Sequence, residues 1–310
     1  MDNLLNDFAG LKVLSLESRR GEDMARLIAR CGGAAHVSPS MRESPIDSNR
    51  PAVEFAHRVL AGQVDAMILL TGVGVRYFID AVERHVDRQA LLDALSDIPT
   101  IARGPKPVAA MKELGLTPTY RVPEPNTWRE LLALLDQQLP VANLCIGLQE
   151  YGAANPSLIA GLEARGARVE QLRVYNWRLP EDVEPLRDNI RRIVRGEADV
   201  LLLTSAQQAE HLLQVADQLE QRDALRHALD RVVVASIGPT TSERLRALGL
   251  PVDFEPSHPK MGHLVQEASQ AAGELLRRKR SICLSRSASP RPRNEQREQA
   301  LAATSREQPW

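Results

Sequence analysis

Five turns in the chain combine a small residue with a hydroxyl or a cation. They are Ser18-Arg19-Arg20, Thr71-Gly72-Val73, the turn holding Arg103, Gly104 and Lys106, Thr204-Ser205-Ala206, and Gly238 with Thr240 and Thr241. Each follows a short apolar run, so each reads as the place where a strand gives way to a helix. At such a junction the free N–H groups of the first helical turn, with hydroxyls and Arg or Lys beside them, can hold an anion. A small polycarboxylate or a phosphate suits this chemistry better than an apolar ligand does. Residue by residue the plainer roles stay open: the threonines as helix caps, the arginines as surface residues. Tyr175, one of four tyrosines, is a separate candidate because a phenol can donate a proton; its competing role is packing against Trp177.

Other chemistries lack their residues. Ser205 lies in TSAQ rather than in G-x-S-x-G, and no His and acid pair can be assigned to it. His258 and His263 have no third ligand at metal-site spacing, so no metal is expected. TGVGVR has two glycines where a dinucleotide fingerprint needs three, and there is no Walker loop, so no cofactor is expected. Cys31, Cys145 and Cys283 form no C-x-x-C, which points to a reducing compartment. With acids early in Met1–Lys12 and no run of membrane length, the expected setting is the cytoplasm, with no membrane partner.

The elements that must position these turns recur. KVLSLESRRGEDMARLIARCGGAAHV from residue 12 matches NLCIGLQEYGAANPSLIAGLEARGARV from Asn143 in the order strand, loop, helix, glycine turn. VDAMILLTGVGV around Asp65 matches ADVLLLTSAQQ around Asp199, each strand ending in a threonine. IPTIARGPKPVAAMKELGL matches VVVASIGPTTSERLRALGL, with Gly238 and Gly249 each 134 positions after Gly104 and Gly115. Buried strands alternating with helices predict parallel sheets covered on both faces. The expected fold class is therefore α/β, with two similar doubly wound lobes and a cleft between them. After Gly238-Pro239, Thr240, Thr241 and Ser242 are expected to cap a helix. Ala35–Met41 and Val169–Trp177, extended and mixed in polarity, fit neither pattern and suit crossings between the lobes.

From Arg277 to Trp310 there are nine Lys/Arg against three Asp/Glu, a charge of +6, which leaves −7 on the rest of a chain of net charge −1. This segment, residues 277–310, lacks apolar periodicity and is expected to be a disordered extension rather than a nucleic-acid contact.

In VVVASIGPTTSERLRALGLPV, LLLTSAQQAEHLL, RVYNWRLP and the opening strand with SRRGE, the sequence resembles uroporphyrinogen-III synthase, from about Lys12 to Ala272. The resemblance implies one discontinuous lobe from residues 1–37 plus 176–276, a second from 38–175, and a two-stranded linker made of the two odd segments above. It implies a monomeric, cofactor-independent lyase that closes hydroxymethylbilane, a linear tetrapyrrole with eight carboxylates, to uroporphyrinogen III. Water is lost and ring D inverted, and hydroxymethylbilane synthase would hand over the substrate. Tyr175 would help the hydroxyl leave. Ser18, Arg19, Thr71, Gly72, Arg103, Lys106, Thr204, Ser205, Ala206, Gly238, Thr240 and Thr241 would bind substrate. Two positions depart from the family pattern: Thr71-Gly72 stands where Thr-Ser is common, and RGPKP replaces a Gly-Thr/Glu turn. That exchanges a loop hydroxyl for bare backbone and two extra cations, and it motivates the alternative of a catalytically inactive protein that binds a tetrapyrrole or another polycarboxylate.

Overall fold

The computed structural model describes residues 7–152 and 154–288. Its strands are β1 (Lys12–Ser15), β2 (Ala34–Val37), β3 (Arg42–Pro45), β4 (Ala66–Leu69), β5 (Thr100–Ala102), β6 (Tyr120–Arg121), β7 (Cys145–Gln149), β8 (Arg168–Leu172), β9 (Tyr175–Arg178), β10 (Val200–Leu203) and β11 (Val233–Ser236). One parallel sheet has the order β11-β10-β1-β2 and the other β6-β5-β4-β7-β8, while β3 and β9 form an antiparallel pair of their own. Strands β4 and β10 are apolar throughout, and β11 is so but for Ser236. Every residue of β4 (AMIL), β10 (VLLL) and β11 (VVAS) is buried, as strands with helices on both faces require.

Side-chain alternation sends successive residues to opposite faces. Met67 and Leu69 join the core under the helices Arg50–Leu60, Gly72–Val82 and Arg88–Asp97, whereas Ala66 and Ile68 join the one under Trp128–Gln138 and Pro156–Glu163. In the other sheet Leu201 and Leu203 pack under Glu184–Val194 and Ala206–Gln218, and Val200 and Leu202 under Gly21–Arg30 and the long helix Met261–Ala288.

The strands matched in sequence take matching places. β4 and β5 neighbour each other as β10 and β11 do, and β1-β2 lies against β10 as β7-β8 lies against β4. Asp199 accepts the Lys12 N–H at 2.8 Å across the β10–β1 boundary, and Asp65, 134 positions earlier, accepts the Cys145 N–H at 2.7 Å across the β4–β7 boundary. The chain thus crosses between the sheets twice.

Two expectations are corrected. The linker strands are β3 and β9, with Glu43 opposite Trp177 and Pro45 opposite Tyr175; of the expected segments Ala35–Met41 and Val169–Trp177, only residues 175–177 belong to them. Residues 35–37 and 169–172 instead belong to the edge strands β2 and β8, whose open sides give them the mixed polarity of a ladder. The second correction concerns residues 277–288, which continue the helix Met261–Ala288. Its buried face (Leu264, Val265, Ala268, Ala272, Leu276) is followed by Lys279, whose Nζ donates to the carbonyls of Leu229 (3.0 Å) and Val232 (2.7 Å) and to Asp253 (2.5 Å). Arg280 pairs with Asp199 at 2.7 Å. The periodic pattern ends in polar contacts, which hydropathy alone does not register. Residues 289–310 of the expected tail lie outside the described residues. Among the described residues no helix is long and apolar enough to cross a membrane.

Candidate functional site

Parallel strands deliver their following loops to one edge of each sheet, and here the two edges face one another. Lys106, after β5, feels the charges of Arg19, Glu17 and Arg20, which follow β1 in the other sheet. Two ion pairs bridge the gap directly: Arg129 with Glu243, and Lys260 with Glu124 at 3.9 Å. The facing loops bound a cleft whose back is the linker pair.

Tyr175 opens β9 and is wholly buried. Its ring stacks on Tyr77 (centroids 5.8 Å apart, planes 20°) and meets Trp177 edge-on (5.4 Å, 84°), so the packing role read for it is real. Its hydroxyl also reaches Oγ1 of Thr71 at 3.3 Å. Burial raises the phenol's pKa; the Thr71 hydrogen bond and the charges of Arg19 and Arg103 offset part of the rise. The group therefore stays protonated through neutral pH.

Thr71 caps the helix Gly72–Val82, its Oγ1 accepting the Gly74 N–H at 3.0 Å. Its own N–H goes to Oε1 of buried Gln149 at 3.2 Å. Gly72 explains one departure from the family pattern. A Cβ there would lie 2.5 Å from the Lys106 carbonyl oxygen, so glycine is what lets the first turn of the helix Pro105–Glu113, which follows β5, pack on the strand end.

The turn into that helix and its first residues carry the cations. The Arg103 guanidinium lies over the Tyr151 ring, 5.7 Å from its centroid, and burial lowers its pKa, the phenols of Tyr151 and Tyr175 opposing. Lys106 keeps an open surface. Even so, partial dehydration in the cleft and then Arg19 hold it below the ordinary lysine value, with Glu17 opposing and Arg103 and Arg20 adding to the fall. Neither Arg103 nor Lys106 has a carboxylate partner among the described residues.

Across the cleft the polar groups are already engaged. Arg19 pairs with Glu43 and lies over Trp177, 5.4 Å from the ring centroid. Glu17 accepts the N–H groups of Arg19 (3.1 Å) and Arg20 (3.2 Å) and the Thr204 hydroxyl (2.6 Å), so a side chain fills the anion hole read at this turn. Ser18 turns away from the cleft, its Oγ accepting the N–H groups of Ser40 and Met41, each at 3.1 Å. Ser205 caps Ala206–Gln218 by accepting the Gln207 N–H at 3.3 Å, and Ala206 is that helix's first residue. The third turn differs from expectation: Gly238 is the cap position, Pro239 begins the helix, and Thr240 and Thr241 lie within its first turn. Proline fits there because the first helical N–H has no partner to lose. Thr240 is half-buried and Thr241 nearly covered.

The geometry thus gathers Tyr175, Thr71, Gly72, Arg103, Lys106 and Arg19 around the linker, with Thr204 opposite; Ser18 and Ser205 serve the backbone. Glu17, Tyr151 and Gln149 were missed in the sequence. Of the three, Glu17 carried a signal, as an acid at a strand end beside two arginines. His258 and His263 lie with rings 4.9 Å apart; their Nδ1 atoms engage Ser257 Oγ and Glu267, each at 3.1 Å. Among the described residues no three His, Cys, Asp or Glu side chains are grouped to hold a metal.

Residues 22–266 match the profile of a family described as uroporphyrinogen-III synthase HemD. A mutant uroporphyrinogen III synthase from the extremely thermophilic bacterium Thermus thermophilus is 29% identical, covers 86% of this chain and 100% of its own, and superposes with a TM-score of 0.64. The wild-type Thermus protein in a second crystal form is 30% identical over 86% of this chain and 99% of its own, with a TM-score of 0.50. An uncharacterized Bacillus subtilis protein, YjjA, is 26% identical over 84% of this chain and 96% of its own length.

Proposed function

Because the chain belongs to the uroporphyrinogen-III synthase family, we propose that it catalyses that cyclisation: hydroxymethylbilane to uroporphyrinogen III, with loss of water, inversion of ring D and no cofactor. The observation that carries the reading is the pair Arg103 and Lys106, partly dehydrated cations at the cleft wall with no carboxylate partner among the described residues. Burying a cation without a counter-ion is costly, and a polycarboxylate supplies what is missing. A local pair of cations also fits a body whose net charge is negative.

In this reading the protein does little covalent chemistry. The C–O bond of the hydroxymethyl group breaks, its electrons leaving with oxygen, which takes a proton and departs as water. The pyrrole nitrogen supplies electrons to the azafulvene that results. The substituted α-carbon of ring D then attacks the exocyclic carbon to give a spiro intermediate. The bond from that α-carbon to the ring C methylene breaks, the methylene bonds instead to the free α-carbon of ring D, and loss of the proton there restores the pyrrole with the ring inverted. Spontaneous closure gives the uninverted isomer, so the enzyme's task is to fold the chain and present the substituted carbon. Tyr175, kept neutral by burial and aligned by Thr71, is the proton donor to the leaving oxygen; Arg103 and Lys106 hold carboxylates. Substrate reaches Tyr175 when the lobes part and the Arg129–Glu243 and Lys260–Glu124 contacts break. The test is product identity, since type III isomer in proportion to protein supports the reading and type I alone removes it.

A further inference from the structure

Tyr151 follows β7 by two residues, and its main chain is pinned. Its carbonyl accepts the Trp177 Nε1–H at 2.7 Å. Gly152 takes φ 81°, and a Cβ there would lie 2.7 Å from Trp177 Cδ1 and 3.0 Å from Tyr175 Cε2. Glycine thus lets the turn rest on the aromatic pair and fixes where the Tyr151 ring leaves the backbone. The ring is half-buried under the Arg103 guanidinium. Its hydroxyl has no hydrogen bond to any described residue, in contrast to that of Tyr175. Arg244 and Glu210 of the opposite lobe act on it across the cleft.

A guanidinium with a phenol beside it, neither satisfied, is a recognisable combination. The guanidinium offers charge and paired N–H donors in one plane. The phenol offers one more donor and no charge of its own, since burial raises its pKa and keeps it protonated. We propose that Arg103 and Tyr151 form one carboxylate subsite of the cleft, with Tyr151 a positioning residue that donates its hydroxyl to the carboxylate held by Arg103. The inference rests on the reading of the cleft as a polycarboxylate site. It adds a residue to the wall that sequence patterns passed over.

The experiment uses the full chain with Tyr151→Phe, Arg103→Lys and the double variant. Two readouts are taken: KM and kcat for hydroxymethylbilane made in situ, and the Kd of uroporphyrinogen III from tryptophan-fluorescence quenching, which needs no turnover. The expected result is that Tyr151→Phe raises KM and Kd about tenfold, as loss of a hydrogen bond to a charged group does, with kcat within about twofold and an unchanged melting temperature. The double variant should raise Kd by less than the product of the two single effects, because one carboxylate is shared. Unchanged KM and Kd in Tyr151→Phe, or purely multiplicative effects, overturns the subsite. Should the wild type bind uroporphyrinogen III, with Tyr151→Phe weakening it, yet convert no bilane, the subsite stands and the synthase reading fails. Absence of binding by the wild type overturns both.

Discussion

The Tyr175 hydroxyl lies 3.3 Å from Oγ1 of Thr71, the same oxygen that accepts the Gly74 N–H. A linker strand is thereby tied to the end of β4, and the phenol is aligned by a residue whose position the helix cap fixes. Tyr175→Phe should lower kcat by about a hundredfold while KM changes by less than about threefold. Steady-state kinetics on the bilane decides it, and an unchanged kcat reduces Tyr175 to packing. The sign of the pH effect follows from its cause. Burial raises this phenol's pKa, so the protonated donor persists past the ordinary value of about 10, and kcat should not fall with a tyrosine ionisation below that pH.

Gly72 is a structural requirement of the helix turn that carries Lys106. Gly72→Ala brings a methyl within 2.5 Å of the Lys106 carbonyl, which forces that helix off the strand end. The expected cost is about 1–3 kcal/mol in urea unfolding, together with a raised KM as Lys106 is displaced. Gly72→Ala with both quantities unchanged contradicts the contact.

This position shows how far the sequence could be read. Apolar runs identified β4, β10 and β11 because both faces of those strands are covered, and the spacing of Asp65 and Asp199 placed two equivalent strand starts. The Thr71-Gly72 departure could be seen but not explained, because its reason is a carbonyl 34 positions away that meets it only in the fold. β2 and β8 were misread as linker strands, since an edge strand and a free-standing ladder have the same polarity pattern. Glu17 meets Thr204 between the loops of the neighbouring strands β1 and β10, and Tyr151 meets Arg103 between the loops of β7 and β5, on either side of β4. No local pattern encodes those meetings.

The contacts across the cleft should govern opening rather than stability. Arg129 and Glu243 are 55% and 40% exposed in their side chains, so the pair is worth about 0–1 kcal/mol. Glu243→Arg should leave the melting temperature nearly unchanged and increase the radius of gyration in solution scattering. Arg129→Glu combined with Glu243→Arg should return the radius to the wild-type value. A radius unaffected by the single reversal rules out a role for this pair in closure.

Lys279 is 13% exposed and satisfies two carbonyls and Asp253 at once. Lys279→Met takes the charged donor from all three, leaving Asp253 to the Val234 N–H and the Leu229 carbonyl to the Val232 N–H, and should cost about 2–4 kcal/mol in chemical denaturation. Loss of less than about 0.5 kcal/mol would mean that the helix beyond Leu276 contributes nothing to the lobe.

The measurement that bears most directly on the central claim is a coupled assay in which hydroxymethylbilane is generated in situ, the protein is added, and the oxidised uroporphyrins are separated into type I and type III isomers. The account predicts a type III excess that grows with protein concentration and falls in Tyr175→Phe. Type I alone from folded wild-type protein contradicts it.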